Sequence, residues 1–497
     1  MKQLRHNIRR VGLLLCVLFA LLVLYGVYSL TNYGSRWFST SANSWLRSAK
    51  KDVVPGDIYD ATGTLLASSI VTDTDGGFTA VRRYNDDAAT RRATVHLLGD
   101  AAGNISNGVE TFMARALYGL DQTILERLQD FATGTRRKGD TLTLTVDSAL
   151  CRYILSCVES LRVKPCSASE APRGAVVVIN WKTGAVLAEM SFPTFDPGQS
   201  ARGAGQPYFN RAIQGMYAPG STFKVVTAAA VLNDPLLSRQ SFTCTGDFEA
   251  EDKDGKRRVI TDAGTDSREG LIVTHGQIDL RRAFRISCNN TFASAAVQLT
   301  DAKLRRQAMD FGFNENFLFR DIVVENSSYP DADRSQWELA MTGIGQSGLQ
   351  ASPMHLCLIA AAIANNGIMM EPRLVAQAVA SNGTVRRSFK PQVARRVFDA
   401  PDNAILLREY MYDAVNAEGG TGHAAALNGW NVCGKTGSAE IDGQENTNAL
   451  FIGFIDDDRA PYALSIVLED TGSGGEYAAP LAHDIFEYLT THLQNGD

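Results

Sequence analysis

No Cys-x-x-Cys and no His-Glu-x-x-His occurs in the chain, and its seven histidines are scattered, so spacing predicts no metal site. No run of like charge stands out. A net charge of -6 over 497 residues offers none of the concentrated basic surface that a nucleic-acid binder needs. With 45% hydrophobic and 21% charged residues the composition also excludes broad disorder. Eight cysteines are present, but no pair is predicted from them. Cys151 and Cys157 fall in one helical stretch, while Cys288, Cys357 and Cys433 sit where cysteine acts as a small hydrophobe.

A long apolar run is present once, at the N-terminus. Lys2, Arg5, Arg9 and Arg10 precede an uncharged stretch from Val11 to Leu30, long enough for a helix to cross a bilayer. The leading basic residues predict a cytoplasmic tail (1–10), a transmembrane helix (11–30) and an extracytoplasmic remainder. No Ala-x-Ala site follows, which favours a retained anchor over a cleaved signal peptide. Cys16 follows Leu15, too bulky for a lipoprotein cleavage site.

Beyond the anchor, Pro55-Gly56 and Thr62-Gly63 punctuate short strands, as in a hairpin-rich module spanning 31–138. A strand and a helix capped by Asp147 follow, with a domain boundary expected near Gly139 and a second domain over 139–497. Next, "GAVVVINWKTGAVLAEMSF" reads as a hairpin, Ala175–Ile179 and Ala185–Met190, turning through Gly184. Its Lys182-Thr183-Gly184 triplet requires no chemistry.

Three later elements carry chemistry. In "YAPGSTFKVVTAAAVL" a helix is expected to open near Ser221, placing Lys224 three residues along on the same face. A hydroxyl attacks an acyl carbon at neutral pH only if a base removes its proton, and a buried amine near other positive charge can serve. In "RISCNNTFASAAVQL", Ser287 and Asn289 offer a proton relay and an amide for a peptide backbone; the bland reading is a helix cap. In "GWNVCGKTGSAEI", Lys435-Thr436-Gly437 falls among consecutive antiparallel strands, where an edge accepts an extended peptide. Ser48 to Lys51 and Ser41-Ala42-Asn43 repeat two of these spacings near the membrane, with no chemistry expected of them.

Each triplet is common, but Ser-x-x-Lys at 221, Ser-x-Asn at 287 and Lys-Thr-Gly at 435 in that order resemble the penicillin-binding proteins and serine β-lactamases. "NRAIQGMYAPGSTFKVVTAAAVL", "SCNNTFA", "GIGQSGLQASPMHLCLIAAAIANNGIMMEPRLV" and "GGTGHAAALNGWNVCGKTGSAE" extend the likeness to class B penicillin-binding proteins, most of all the penicillin-binding protein A subgroup. The family's early arginine-flanked block appears here as "VPGDIYDATG", without either arginine. Ser438 stands where many relatives carry Thr.

The resemblance implies a multidomain α+β protein: anchor, β-rich pedestal, then a transpeptidase domain with an antiparallel sheet flanked by helices. It implies a monofunctional D,D-transpeptidase acting on pentapeptide stems that end in D-Ala-D-Ala and acylated by β-lactams. Ser221 would be the nucleophile, Lys224 the base and Ser287 the relay. Asn289, Lys435, Thr436, Gly437 and Ser438 would bind substrate, with Lys435 helping to keep Lys224 uncharged. No cofactor or metal is implied, and the expected partner is a polytopic membrane glycan polymerase. Two other outcomes stay open: a carboxypeptidase or β-lactamase passing the acyl group to water, for which no deacylating Glu is evident, and a non-catalytic β-lactam-binding scaffold.

Overall fold

The computed structural model of the chain describes residues 2–38, 53–75, 77–100, 103–161, 172–199, 206–262, 273–398, 400–440 and 446–494. The second Ser-x-x-Lys and Ser-x-Asn, at 48–51 and 41–43, lie outside these. Helix α1, Lys2–Phe38, contains an apolar span from His6 to Ser29. Its large side chains stand exposed along that span, as a membrane anchor requires.

The pedestal is built on one six-stranded sheet. Its strands β1 (Ile58–Tyr59), β2 (Leu65–Thr74) and β3 (Gly77–Tyr84) come from early in the chain, followed by β4 (Thr141–Leu144). The α/β unit that follows opens with helix α2 (Ser148–Ser160), whose first amides bond the Asp147 carboxylate, and the hairpin β5 (Gly174–Asn180) and β6 (Val186–Phe192). Four short strands come next, β7 (Phe242–Cys244), β8 (Asp247–Glu251), β9 (Arg257–Thr261) and β10 (Gly276–Ile278). After them β11 (Ile368–Met370) pairs with β14 (Val393–Arg396), and between these lies the hairpin β12 (Val375–Val379) and β13 (Val385–Ser388).

That hairpin returns to the pedestal, giving the order β13-β12-β4-β1-β2-β3. The sheet therefore takes strands from both sides of Gly139, which is no loose linker: a Cβ there would lie 1.8 Å from the Leu117 carbonyl oxygen. Arg386 of β13 fastens the junction, with Asp140 at 2.9 Å and Glu126 at 3.0 Å. Asp60, in the block that lacks the family's arginines, accepts from the Ser148 hydroxyl at 2.6 Å and the Thr64 amide at 2.7 Å. One buried carboxylate thus joins the pedestal turn to the start of α2.

The second module centres on a five-stranded antiparallel sheet, β15 (Val432–Ala439), β16 (Asn448–Ile455), β17 (Tyr462–Leu468), β5 and β6 in that order. Every residue of β16 is buried, so both of its faces are covered and its sequence, NALFIGFI, is near-continuously apolar. Helix α3 (Lys224–Leu232), α4 (Leu280–Arg285) and α5 (Asn289–Asp310) form a helical layer beside the sheet. Helix α6 (Pro353–Ala364), capped by Ser352, is wholly buried against β5, β16 and β17. The last two are α7 (Pro401–Asn416), packed on β15, and α8 (Ala479–Gln494), packed near α2. The Phe451 ring fills the space left by Gly434 and Gly453 on neighbouring strands. Truncating such a ring costs about 3–5 kcal/mol.

The first Lys-Thr-Gly is the predicted turn. Gly184 has φ +72° and Lys182 pairs with Asp458 at 2.7 Å on the surface. The second lies on β15, at the sheet edge.

Candidate active site

Ser221 lies in a 3₁₀ turn, Gly220–Phe223, and the α-helix proper starts only at Lys224. Gly220 has φ +52°, and a Cβ on it would meet the Ser438 carbonyl oxygen at 2.7 Å. Its own carbonyl leaves no room for a side chain at Gly345, whose Cβ would lie 1.8 Å from it. The turn carrying Ser221 is thereby pressed against β15 on one side and residue 345 on the other. Gly437 serves the same packing. A Cβ there would meet Thr222 Cγ2 at 2.9 Å and the Pro219 carbonyl oxygen at 3.1 Å, so its space is taken by the turn rather than by a ligand.

Lys224 and Lys435 are both fully buried. Lys224 Nζ donates to the Ser287 carbonyl (2.7 Å), Asn289 Oδ1 (2.6 Å) and Ser287 Oγ (3.2 Å). Lys435 Nζ donates to the same Ser287 Oγ at 2.8 Å. Aromatic faces underlie both cations, Phe292 beneath Lys224 at 5.6 Å and Phe284 beneath Lys435 at 5.8 Å. Ser287 holds φ +58°, a left-handed conformation that costs a residue with a side chain about 1–3 kcal/mol. This strained residue links α4 to α5 and puts its hydroxyl between the two amines.

Ser221 and Lys224 share a face as expected, but the hydrogen bond between them is not made. The three protons of Lys224 go to Ser287 and Asn289, because a fully buried ammonium takes the nearest strong acceptors. Among the described residues the Ser221 hydroxyl has no hydrogen-bond partner, and it opens into the cleft. Catalytic contacts of this kind often tighten only when substrate arrives. The Asn289 amide is engaged as well: its oxygen receives Lys224 and its nitrogen donates to the Thr261 carbonyl at 3.0 Å.

Burial lowers the pKa of Lys224 to about 8, against an opposing pull from Asp262 and Cys288. Burial lowers Lys435 well below the ordinary lysine value, and repulsion from Lys224 adds to this. The resemblance has Lys435 helping to keep Lys224 uncharged; here the repulsion bears on Lys435, while loss of water lowers Lys224 yet leaves it mostly protonated at pH 7. Two amines sharing one hydroxyl away from solvent do not both stay charged.

Ser221, Ser287, Asn289, Thr436, Gly437 and Ser438 line one cleft of roughly 520 Å³. All eight predicted site residues are thus brought together, with Lys224 and Lys435 beneath its floor. Contributors missed in the sequence include Thr421, Trp337 and Glu440. Thr421 accepts from the Thr436 hydroxyl at 2.8 Å, Trp337 forms a wall, and exposed Glu440 stands at the mouth. Thr421 belongs to a Gly-Gly-Thr-Gly run that could have flagged it; nothing local distinguishes the other two. Cys288, read as a small hydrophobe, instead directs its thiol to the Asp262 carboxylate at 3.0 Å. The seven described cysteines are all free thiols.

The family model for the penicillin-binding protein transpeptidase domain matches residues 174–487. The peptidoglycan D,D-transpeptidase PbpA of Mycolicibacterium smegmatis is 30% identical over 447 residues, covering 85% of this chain and 86% of that protein. The fold is similar to penicillin-binding protein A of M. tuberculosis in its imipenem acyl-enzyme complex. That match has TM-score 0.75 and 26% identity, over 89% of this chain and 99% of the other. A D,D-transpeptidase domain from Eggerthella lenta matches with TM-score 0.72 and 25% identity, over 90% of this chain and all of the other (100%). An ordered Ser-x-x-Lys, Ser-x-Asn and Lys-Thr-Gly meeting in one cleft, within a domain matched along its length, places this chain in the penicillin-binding protein transpeptidase family.

Proposed function

We propose that the chain is a membrane-anchored serine D,D-transpeptidase that cross-links peptidoglycan stem peptides. Ser221 attacks the carbonyl of the penultimate D-alanine; its proton passes to Lys224, and on through Ser287 to the departing terminal D-alanine. An amine of a neighbouring stem then resolves the acyl-enzyme and regenerates the serine. By the family resemblance, the backbone N–H groups of Ser221 and Ser438 would serve the developing oxyanion, each worth on the order of 3 kcal/mol in comparable hydrolases.

The observation that carries this reading is the meeting of Lys224 and Lys435 on one hydroxyl, Ser287 Oγ, in the cleft that holds Ser221. A serine with a low-pKa amine beside it is an activated acyl-transfer nucleophile. The β15 edge supports an extended stem added as a strand. Lys435 and Thr436 then meet its terminal carboxylate, and the Asn289 amide meets its backbone once Lys224 shifts toward Ser221. β-Lactams acylate the same serine; the M. tuberculosis relative forms an acyl-enzyme complex with imipenem.

In this reading residues 1–10 are cytoplasmic, 11–30 cross the plasma membrane, 31–138 lead the pedestal, whose sheet β4, β12 and β13 complete from within 139–497, and the rest of 139–497 is the catalytic domain outside. A polytopic glycan polymerase supplies the uncross-linked strands on which it works. The test is to incubate the full chain, in detergent, with glycan strands bearing pentapeptide stems and to measure released D-alanine and cross-linked dimers by mass spectrometry. Wild type is expected to yield both and Ser221→Ala neither. Release of D-alanine without dimers would replace this reading with the carboxypeptidase one.

A further inference from the structure

We infer that Cys244, Asp262, His275 and Cys288 form a zinc site that clamps the β7–β10 segment to the start of α5 and so holds the Ser287–Asn289 turn of the cleft in place. The four donor atoms lie within 4.8 Å of one another. Three of them converge on a single oxygen: Asp262 Oδ2 is 3.4 Å from Cys244 Sγ, 3.0 Å from Cys288 Sγ and 3.1 Å from His275 Nδ1. Cys244 Sγ and His275 Nδ1 are 3.3 Å apart. In a tetrahedral zinc site with Zn–S of about 2.3 Å and Zn–N or Zn–O of about 2.0–2.1 Å, neighbouring donor atoms stand roughly 3.3–3.8 Å apart. Four of the six edges, at 3.0–3.4 Å, lie at or a little under those values, and the other two pairs stand within 4.8 Å.

The chemistry of the donors is equally specific. Two thiols, one imidazole and one carboxylate form a borderline-soft set that suits zinc and not magnesium or calcium. Cys244, Asp262 and Cys288 are each at most 3% exposed, and the His275 side chain is 19% exposed. Binding would release the two thiol protons to solvent and leave the metal held by two thiolates, the carboxylate and a neutral imidazole. Outer contacts are already in place. The other Asp262 oxygen accepts from the Asn289 amide at 2.7 Å, and the Thr291 amide donates to Cys288 Sγ at 3.4 Å.

The local fold has need of such a clamp. Of β8 and β9 only Ala250 and Ile260 are buried, so these strands have almost no core of their own. Yet β9 supplies Ile260 and Thr261 to the cleft, and the Thr261 carbonyl holds the Asn289 amide. Cys244 and Gly276 are paired in the β7–β10 ladder, which brings His275 beside Cys244, while Cys288 caps α5 between Ser287 and Asn289. A metal here ties the cleft wall to the strained Ser287. This site stands whatever acyl group Ser221 accepts.

The test is to purify the full chain in detergent without chelator and measure metal per chain by plasma mass spectrometry. One zinc per chain is expected. Replacement by Co²⁺ is expected to give thiolate-to-cobalt charge transfer and the intense visible bands of a tetrahedral centre, a signature that needs no variant. Cys244→Ser with His275→Ala is expected to lose the metal, and chelation to lower the melting temperature until zinc is restored. The inference is overturned if wild type takes up no stoichiometric zinc from supplemented buffer, if the double variant keeps it, or if mass mapping finds Cys244 and Cys288 joined as a disulfide.

Discussion

The lowered pKa of Lys224 has a direct kinetic consequence. With a pKa of about 8, roughly 1% of the amine is neutral at pH 6, roughly 9% at pH 7, about half at pH 8 and about 90% at pH 9. If neutral Lys224 takes the proton from Ser221, the second-order rate of acylation by a fluorescent penicillin follows those fractions. It rises about ninefold from pH 6 to 7, between fivefold and sixfold to pH 8, and less than twofold beyond. An ordinary exposed lysine would instead give about tenfold for every unit through pH 9. Lys224→Arg, whose guanidinium keeps its proton, is expected to abolish acylation across the range while leaving the melting temperature within a few degrees. Stopped-flow fluorescence on the purified chain reads both. A rate that climbs tenfold per unit up to pH 9, or one flat from pH 6, refutes the role given to this lysine.

Gly345→Ala sets a Cβ 1.8 Å from the Gly220 carbonyl oxygen at a residue with φ +90°. It is expected to displace the nucleophile turn, slowing acylation by about a hundredfold or more, read by the same assay. Thr421→Val removes the acceptor of the Thr436 hydroxyl and is expected to slow acylation roughly fivefold, about 1 kcal/mol, with no change in melting temperature. Burial raises the Glu189 carboxyl to about 7, with Asn210 donating to it at 2.8 Å. The folded state then holds a proton that the unfolded chain releases above about pH 4.5, so stability falls as pH rises through 4.5–7. Complete above that window, the loss comes to about 3 kcal/mol. Glu189→Gln is therefore expected to raise the melting temperature at pH 8 and not at pH 4; an equal effect at both would count against a protonated Glu189.

The parts of the site that were legible in the sequence depend on short spacings. Ser221 and Lys224, Ser287 and Asn289, and the late Lys-Thr-Gly each declare themselves within four residues. The two Lys-Thr-Gly triplets separate on context alone, one between two β-rich runs and the other inside one. What stayed hidden depends on contacts across the chain. The β12–β13 hairpin joins a sheet begun at Ile58, and nothing near Val375 announces that partner. Cys244, Asp262, His275 and Cys288 come from four separate segments, so no motif spacing reveals them. Ser287 was read as the relay beside Lys224, but the bond to Asn289 was missed because it follows from burial: deprived of water, the amine reaches for Ser287 and Asn289 before Ser221.

The central claim is that Ser221 is the residue that accepts the acyl group. The measurement is to label the full chain with a fluorescent penicillin, digest it and identify the modified peptide by mass spectrometry. The account predicts one stable adduct, on Ser221 within Gly220–Phe223, absent from Ser221→Ala. An adduct on any other residue, or rapid release of hydrolysed penicillin with no adduct accumulating, would contradict it.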